Sequence, residues 1–250
     1  MSEHESVPSP WSDISWDPNA PAVVSWRARR LAVAHREPVE SRLGYLRSLA
    51  TNRSVLDIGV VEHDASNEQS GRWLHRQISE VAATCLGVDV LCGQVEVLRD
   101  RGYNVICRDV MAEPLDQQFD VIIAGELIEH LGSPGSLFDA AAGMLEPHGR
   151  LVLTTPNPYM LHRVWKRLRG RFQDSVDHAV LLDAGNLAEL AGRSGLQLES
   201  WRGILLKDLP GWRNKVASAA RALMRATVFA DEIACDSIIY EFVPTPPVDL

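Results

Sequence analysis

From Ser54 onward the chain alternates short, nearly continuous apolar runs with amphipathic stretches. The runs "SVLDIG" (54–59), "TCLGVDV" (84–90), "YNVICRDV" (103–110), "FDVIIAGEL" (119–127) and "RLVLTTP" (150–156) predict strands. Helical spacing predicts helices over 71–83, 92–101, 134–145, 158–169 and 184–194. Gly102, Gly149 and Gly195 fall where the chain leaves a helix or turns tightly. Strands that are apolar throughout and separated by helices imply an α/β fold, a parallel sheet covered on both faces. The last two runs, "LQLESWRGILL" (196–206) and "DSIIYEFVP" (236–244), are separated by a helical stretch over about 211–229. The sheet is therefore expected to end in an antiparallel strand, with a helical lid inserted over about 209–230.

Upstream, "VVSWRARRLAVAHREPVESRLGYLRSLA" (23–50) predicts two helices broken at Pro38, a helical cap over residues 22–52. Residues 1–21 are rich in Pro, Ser and acid and are expected to form a mobile arm, which Trp11 and Trp16 can dock over a site. Residues 53–250 form the main domain, and no internal repeat is found.

Composition narrows the picture. A chain of 250 residues with 46% apolar side chains buries one full core. No apolar run reaches the roughly 18 residues that span a bilayer, and the amino terminus lacks a signal pattern, so a cytoplasmic protein is expected. The formal charge of −8 argues against DNA binding and against indiscriminate RNA binding. Cys85, Cys92, Cys107 and Cys235 make no C-x-x-C pair, so neither a disulfide framework nor a zinc site is expected.

In this fold class, ligands sit beyond the carboxyl ends of the strands. Asp57 and Gly59 close the first run, Asp89 the second, Asp109 the third, and Gly125 with Glu126 the fourth. Three acids at successive strand ends suit a ligand with a cation, a ribose diol and an exocyclic amine. Asp89 matches adjacent ribose hydroxyls and Asp109 an adenine amine. A dinucleotide would want G-x-G-x-x-G, which is absent here.

At these positions the chain resembles the class I S-adenosylmethionine-dependent methyltransferases, from about Val55 to Leu198 and, through the last strand, to Val243. "VLDIG" looks like their first motif, "LGVDV" the second and "CRDV" the third, with "FDVIIAGELIEHL" and "MLEPHGRLVLTTPNPY" following in order. The resemblance implies a Rossmann-like sheet of seven strands, mostly parallel with an antiparallel last strand. It also implies S-adenosylmethionine as cofactor, with Asp57, Gly59 and Val61 at its methionine end and Val90 and Val110 flanking the adenine. Gly125 and Glu126 would complete the cofactor site. One departure stands out: the family's D-x-G-x-G-x-G becomes Asp57, Gly59, Val61 and His63, followed by the polar insertion "EHDASNEQSG".

On the acceptor side, "GELIEHL" places Glu126, Glu129 and His130 at i, i+3 and i+4, on one face if a helix begins there. With His178 of "VDHAVLL" they form a ligand set for a divalent metal, Mg or Mn. The set is similar to the metal-binding motif of the small-RNA 2′-O-methyltransferases. In the alternative reading, Glu126 lies by the cofactor and a histidine packs or serves as a base. A hydroxyl acceptor needs such a base, for which His130 and His178 are the first catalytic candidates and His162 the third. Asn157, Tyr159 and His162 follow the fifth strand, where acceptor loops lie; an amino-methyltransferase N-P-P-Y motif would follow the fourth. The basic run Arg163, Lys166, Arg167, Arg169 and Arg171 is either a solvated helix face or a contact for an anionic acceptor. The basic helix over 211–229 reads as a lid or a homodimer contact rather than a membrane anchor.

The expectation is therefore an S-adenosylmethionine-dependent O-methyltransferase acting on a saccharide or a similar polar small molecule, including glycans. The alternatives are a metal-dependent RNA ribose 2′-O-methyltransferase and a non-catalytic homologue that kept the fold without the reaction.

Overall fold

The computed structural model describes residues 10–171, 175–204 and 231–246; the expected lid over about 209–230 lies outside the described residues. Two helices, α1 (Pro21–Ala34) and α2 (Arg42–Ala50), precede seven strands: β1 (Ser54–Ile58), β2 (Thr84–Asp89), β3 (Val105–Cys107), β4 (Phe119–Gly125), β5 (Leu145–Pro156), β6 (Leu196–Gly203) and β7 (Ser237–Pro244). Between the strands run α3 (Leu74–Ser79), α4 (Cys92–Asp100), α5 (Gly135–Met144), α6 (Leu161–Leu168) and α7 (Ala184–Arg193). The strands make one sheet in the order β3-β2-β1-β4-β5-β7-β6. β7 runs antiparallel to β5 and β6, and the pairs from β3 through β5 are parallel. This is the Rossmann-like arrangement expected. Among the described residues, no helix is long and apolar enough to cross a membrane.

Alternation along the central strands feeds two cores. Leu56, Ile122, Leu151 and Leu153 pack with Leu137, Phe138 and Leu187 of α5 and α7 on one face. Val55, Val121, Ile123 and Val152 pack with Leu46, Leu74 and Ile78 of α2 and α3 on the other. β5 starts at Leu145, earlier than expected, and the preceding helix ends at Met144. Pro147 cannot donate to a helix, and Leu145 already pairs with Phe119. Gly149 fits there because a Cβ would stand 2.8 Å from the Phe119 carbonyl oxygen.

The amino-terminal elements are fastened by side chains. Trp201 Nε1 donates to the Leu31 carbonyl at 2.9 Å, and Trp11 Nε1 donates to Glu189 on α7 at 3.1 Å. The buried Glu241 carboxylate on β7 accepts from Tyr45 Oη (2.5 Å), Ser200 Oγ (2.7 Å) and Arg150 Nη1 (2.6 Å), with Arg202 at 3.4 Å. Burial alone would raise its pKa; the hydrogen bonds from Tyr45, Ser200 and Arg150 and the Arg150 charge outweigh burial and hold it below the usual range.

The cysteines correct one expectation. Cys92 and Cys107 are joined by a disulfide. Linear spacing gave no sign of it, because the contact is made by the pairing of β2 with β3, which sets Asp89 beside Cys107.

Candidate active site

The turn after β1 does without the missing glycines by using side chains. Gly59 has φ +85 and a Cβ there would press on Leu127 at 3.3 Å, so this glycine is required. Glu62 and His63 follow with φ of 50 and 73, a left-handed pair of non-glycine residues. Several bonds hold them there. Asn67 Nδ2 donates to the Glu62 carbonyl at 2.6 Å, Trp73 Nε1 to the Val60 carbonyl at 2.7 Å, and Val61 N to Asp89 Oδ2 at 2.9 Å. Asp64 caps the short 3₁₀ turn Ala65–Gln69 by accepting from Ser66 N at 2.7 Å. Val61 itself is fully buried, and its N–H is taken by Asp89.

Asp57 is buried with its carboxylate 3.0 Å from His75 Nδ1 of α3. Burial would lower the His75 pKa, but the hydrogen bond and charge of Asp57, helped by Cys85, prevail and raise it to about 9. A folded-state pKa above the unfolded value stabilises fully below pH 6.5, and that stability is lost as pH rises through about 9. The expected loss over this window is on the order of 3 kcal/mol. Urea unfolding at the two ends of the window should show it, and His75→Gln should flatten the profile. An equal slope in that variant would contradict the pairing.

At the carboxyl end of β2, Asp89 Oδ1 accepts from Leu91 N (3.0 Å) while Oδ2 accepts from Val61 N, so the carboxylate is fixed in place at the strand end. Each oxygen keeps a lone pair for a ribose hydroxyl. Val90 beside it is 58% exposed, an apolar surface suited to a base, whereas Val110 is buried. Asp109 is exposed, with Oδ1 accepting from Met111 N at 3.0 Å.

Beyond β4, Glu126 has φ 54 and its N–H is tied to the Thr154 carbonyl at 2.8 Å. The condition for one shared face, a helix beginning here, is not met: this residue is left-handed and a 3₁₀ turn, Ile128–His130, follows. Glu126 Oε1 is buried without a hydrogen-bond partner, 3.5 Å from Arg42 Nη1. Gly125 carries no side chain because a Cβ would meet Leu74 at 2.9 Å. Arg42, in the first turn of α2, also reaches Thr154 Oγ1 at 3.3 Å. Glu62 lies in the same neighbourhood, its pKa raised by burial and partly offset by the Leu74 N–H and Arg42. An arginine and a carboxylate with a spare oxygen suit the carboxylate and ammonium of an amino acid.

The acceptor side gathers more histidine than the motif alone suggested. Glu129 is buried, and its Oε2 accepts from Thr155 Oγ1 at 3.0 Å. Its pKa is pushed up to about 7 by burial and then by Glu126. Glu129 Oε1 and His178 Nδ1 are both buried without partners. Two sets of donor atoms, Glu129–His130–His178 and His63–His130–Asp177, each lie within 4.8 Å, and Glu126 belongs to neither. His130 Nδ1 is 3.2 Å from Asp177 Oδ2, and its ring packs edge-on against His178.

Asn157, Tyr159 and His162 are not brought together as one acceptor site. Asn157 is buried; its Nδ2 donates to the Glu232 and Cys235 carbonyls and its Oδ1 accepts from Tyr159 N. That makes it a strut. Tyr159 is exposed and donates to Asp183 Oδ2 at 2.7 Å, while His162 stands exposed on α6. Tyr159 and Asp183 border a cavity of about 400 Å³ whose walls include Leu31, Trp201, Ile238 and Tyr240. The basic run lies along α6 and beyond it, where no residue of α6 is buried and the Arg169 guanidinium covers Trp165 at 4.4 Å.

A Rossmann-like sheet with acids at its first strand ends and a closed turn after β1 defines a class I S-adenosylmethionine-dependent methyltransferase. The chain belongs to the methyltransferase-domain family, whose model matches residues 26–200. It is similar to the ubiquinone biosynthesis O-methyltransferases of Xylella fastidiosa (strain M23), 27% identical over 223 residues, covering 82% of this chain and 81% of that one. The one from Xanthomonas euvesicatoria pv. vesicatoria (strain 85-10) is 26% identical over 190 residues, covering 70% and 74%. Among solved structures, an S-adenosylmethionine-dependent methyltransferase from Thermotoga maritima superposes with TM-score 0.54 at 16% identity, covering 88% and 95%. Magnesium protoporphyrin IX methyltransferase from Synechocystis PCC 6803, with S-adenosylhomocysteine bound, gives 0.51 at 14%, covering 89% and 85%.

Proposed function

We propose that the chain methylates a hydroxyl oxygen of a small molecule, a saccharide or a comparable hydroxylated ring, with His130 at the reacting hydroxyl. The observation that carries this reading is the meeting of His130 with Asp177, beside two buried, unpartnered acceptors, Glu129 Oε1 and His178 Nδ1. The O-methyltransferase names of the relatives support oxygen as the acceptor atom.

S-adenosylmethionine supplies a sulfonium-bound methyl electrophile. Asp89 would hold the ribose and Asp109 the adenine amine, with Arg42 and Glu126 on the amino-acid end. Asp177 keeps the proton on His130 Nδ1, leaving Nε2 to take the acceptor's hydroxyl proton.

Arg42→Ala should weaken binding of S-adenosylhomocysteine about tenfold or more and leave 5′-methylthioadenosine, which lacks the amino-acid end, unaffected. Calorimetry with the two ligands checks this; equal losses for both would contradict the assignment.

The reaction is tested by transfer of labelled methyl to a panel of hydroxylated acceptors. His130→Ala should lower kcat by about a hundredfold or more with cofactor affinity preserved. Retained kcat would remove His130 from the chemistry.

A second reading has a specific observation behind it. The Glu129, His130 and His178 atoms fit a divalent cation through their compact arrangement and their two unpartnered members. Such a cation would bind adjacent oxygens of a diol. Activity that is lost in chelator and restored by Mn²⁺ or Mg²⁺ would favour this reading over histidine alone.

A further inference from the structure

The strand-end acids assigned to adenosine are flanked by the only cysteines bonded to each other among the described residues. Cys107 pairs in register with Asp89 across β2 and β3, and Cys92 opens α4 one turn after Asp89. Both cysteines are exposed. Between Asp89 and Cys92 the chain is held by Leu91 N to Asp89 Oδ1 and Cys92 N to the Val90 carbonyl, and the Leu91 carbonyl accepts from Gln94 N and Val95 N of α4. It presents Val90 and Leu91, 58% and 43% exposed, as the apolar surface beside the ribose acid. The neighbouring loop is tied back by Arg108 N to the Asp89 carbonyl at 3.0 Å, and Asp109 follows at once. One covalent bond therefore spans the two loops that carry Asp89 and Asp109.

We propose that Cys92 and Cys107 form a redox-modifiable site that controls cofactor affinity. This rests on the reading that Asp89 and Asp109 hold the adenosine half. The chemistry is thiol–disulfide exchange with a low-molecular-weight disulfide. One cysteine thiolate attacks it and expels a small thiolate; the second cysteine attacks the resulting mixed disulfide and expels the other. Two protein S–H bonds are lost, one protein S–S bond forms, and the small disulfide is reduced to two thiols. The bridged form keeps Val90, Leu91 and both acids in register, so binding does not have to order them. In the dithiol form the β2–α4 turn is released and part of the binding free energy goes into ordering it. Exposure of both sulfur-bearing residues gives reagents access, whereas Cys235 is buried and Cys85 lies half-buried against His75.

The test uses the full chain equilibrated with oxidised or with reduced glutathione, peptide mapping of the Cys92–Cys107 linkage, and calorimetry with S-adenosylhomocysteine in each state. The bridged form should bind about fivefold or more tightly than the dithiol form. A Cys92→Ser, Cys107→Ser variant should bind equally in both buffers, at the affinity of the reduced protein. Failure of the linkage to form, or equal affinity of the two wild-type states, would overturn the switch alone. Absence of binding in both states would instead overturn the cofactor reading on which it rests. The wild-type comparison stands even where the double variant fails to fold.

Discussion

Asp89→Ala should weaken S-adenosylhomocysteine binding by about a hundredfold or more, the largest effect expected of any cofactor contact. The carboxylate is to accept from two ribose hydroxyls, and hydrogen bonds to a charged group contribute roughly 1.5–3 kcal/mol each. It has a second task, because its oxygens also accept from Val61 N at the first turn and Leu91 N at the second. Removing it releases both turns at once, so the loss exceeds that of a side chain that touches ligand alone. Asp89→Asn keeps one acceptor oxygen and should fall between wild type and alanine. Calorimetry on folded protein checks the series; a loss below about threefold for alanine would sink the ribose assignment.

Glu241→Ala should cost about 3–5 kcal/mol of folding stability, the largest loss expected from a residue away from the cofactor. The carboxylate gathers Tyr45 from α2, Ser200 and Arg202 from β6, and Arg150 from β5, so four groups on three elements share one buried acceptor. Without it, the partly buried Arg202 guanidinium loses its counter-charge, Arg150 is left with Glu199 at 3.5 Å, and the Tyr45 hydroxyl loses its acceptor. Glu241→Gln keeps an acceptor oxygen but not the charge and should cost less. Urea denaturation measures both; an alanine variant within about 1 kcal/mol of wild type would show that water replaces the network without loss.

The parts that the sequence disclosed are those fixed by local pattern. Five apolar runs separated by amphipathic stretches became β1 to β5, because strands covered on both faces have no polar side to alternate with. The two late runs became β6 and β7 with the antiparallel last strand expected. The acids at the strand ends were visible for the same reason: each interrupts an apolar run at its carboxyl end. Contacts made across the fold were not visible. Arg42 lies in an ordinary helical stretch, and only the Ser41 cap on α2, with Thr154 opposite, aims it at Glu126. Asp177 and His63 lie far from His130 in sequence and meet it only at the strand ends.

A motif records identity and not geometry. Asp57 pairs with a buried histidine, and that histidine is supplied by α3, which follows the insertion. Glu126, Glu129 and His130 share one face only if a helix begins at Glu126; its backbone is left-handed, with Glu129 bonded to Thr155 and the Glu126 carboxylate beside Arg42. The loss of glycines after Gly59 was plain, but its consequence was not. Trp73, Asn67 and Asp89 supply from their side chains the bonds that hold the reshaped turn.

The most direct measurement is a calorimetric titration of the purified chain with S-adenosylmethionine and S-adenosylhomocysteine, with and without Mg²⁺ or Mn²⁺. A reshaped but working turn predicts one-site binding of both ligands in the micromolar range or tighter. Absence of binding under every condition would contradict the account, and the replaced glycines would then have cost the chain its cofactor.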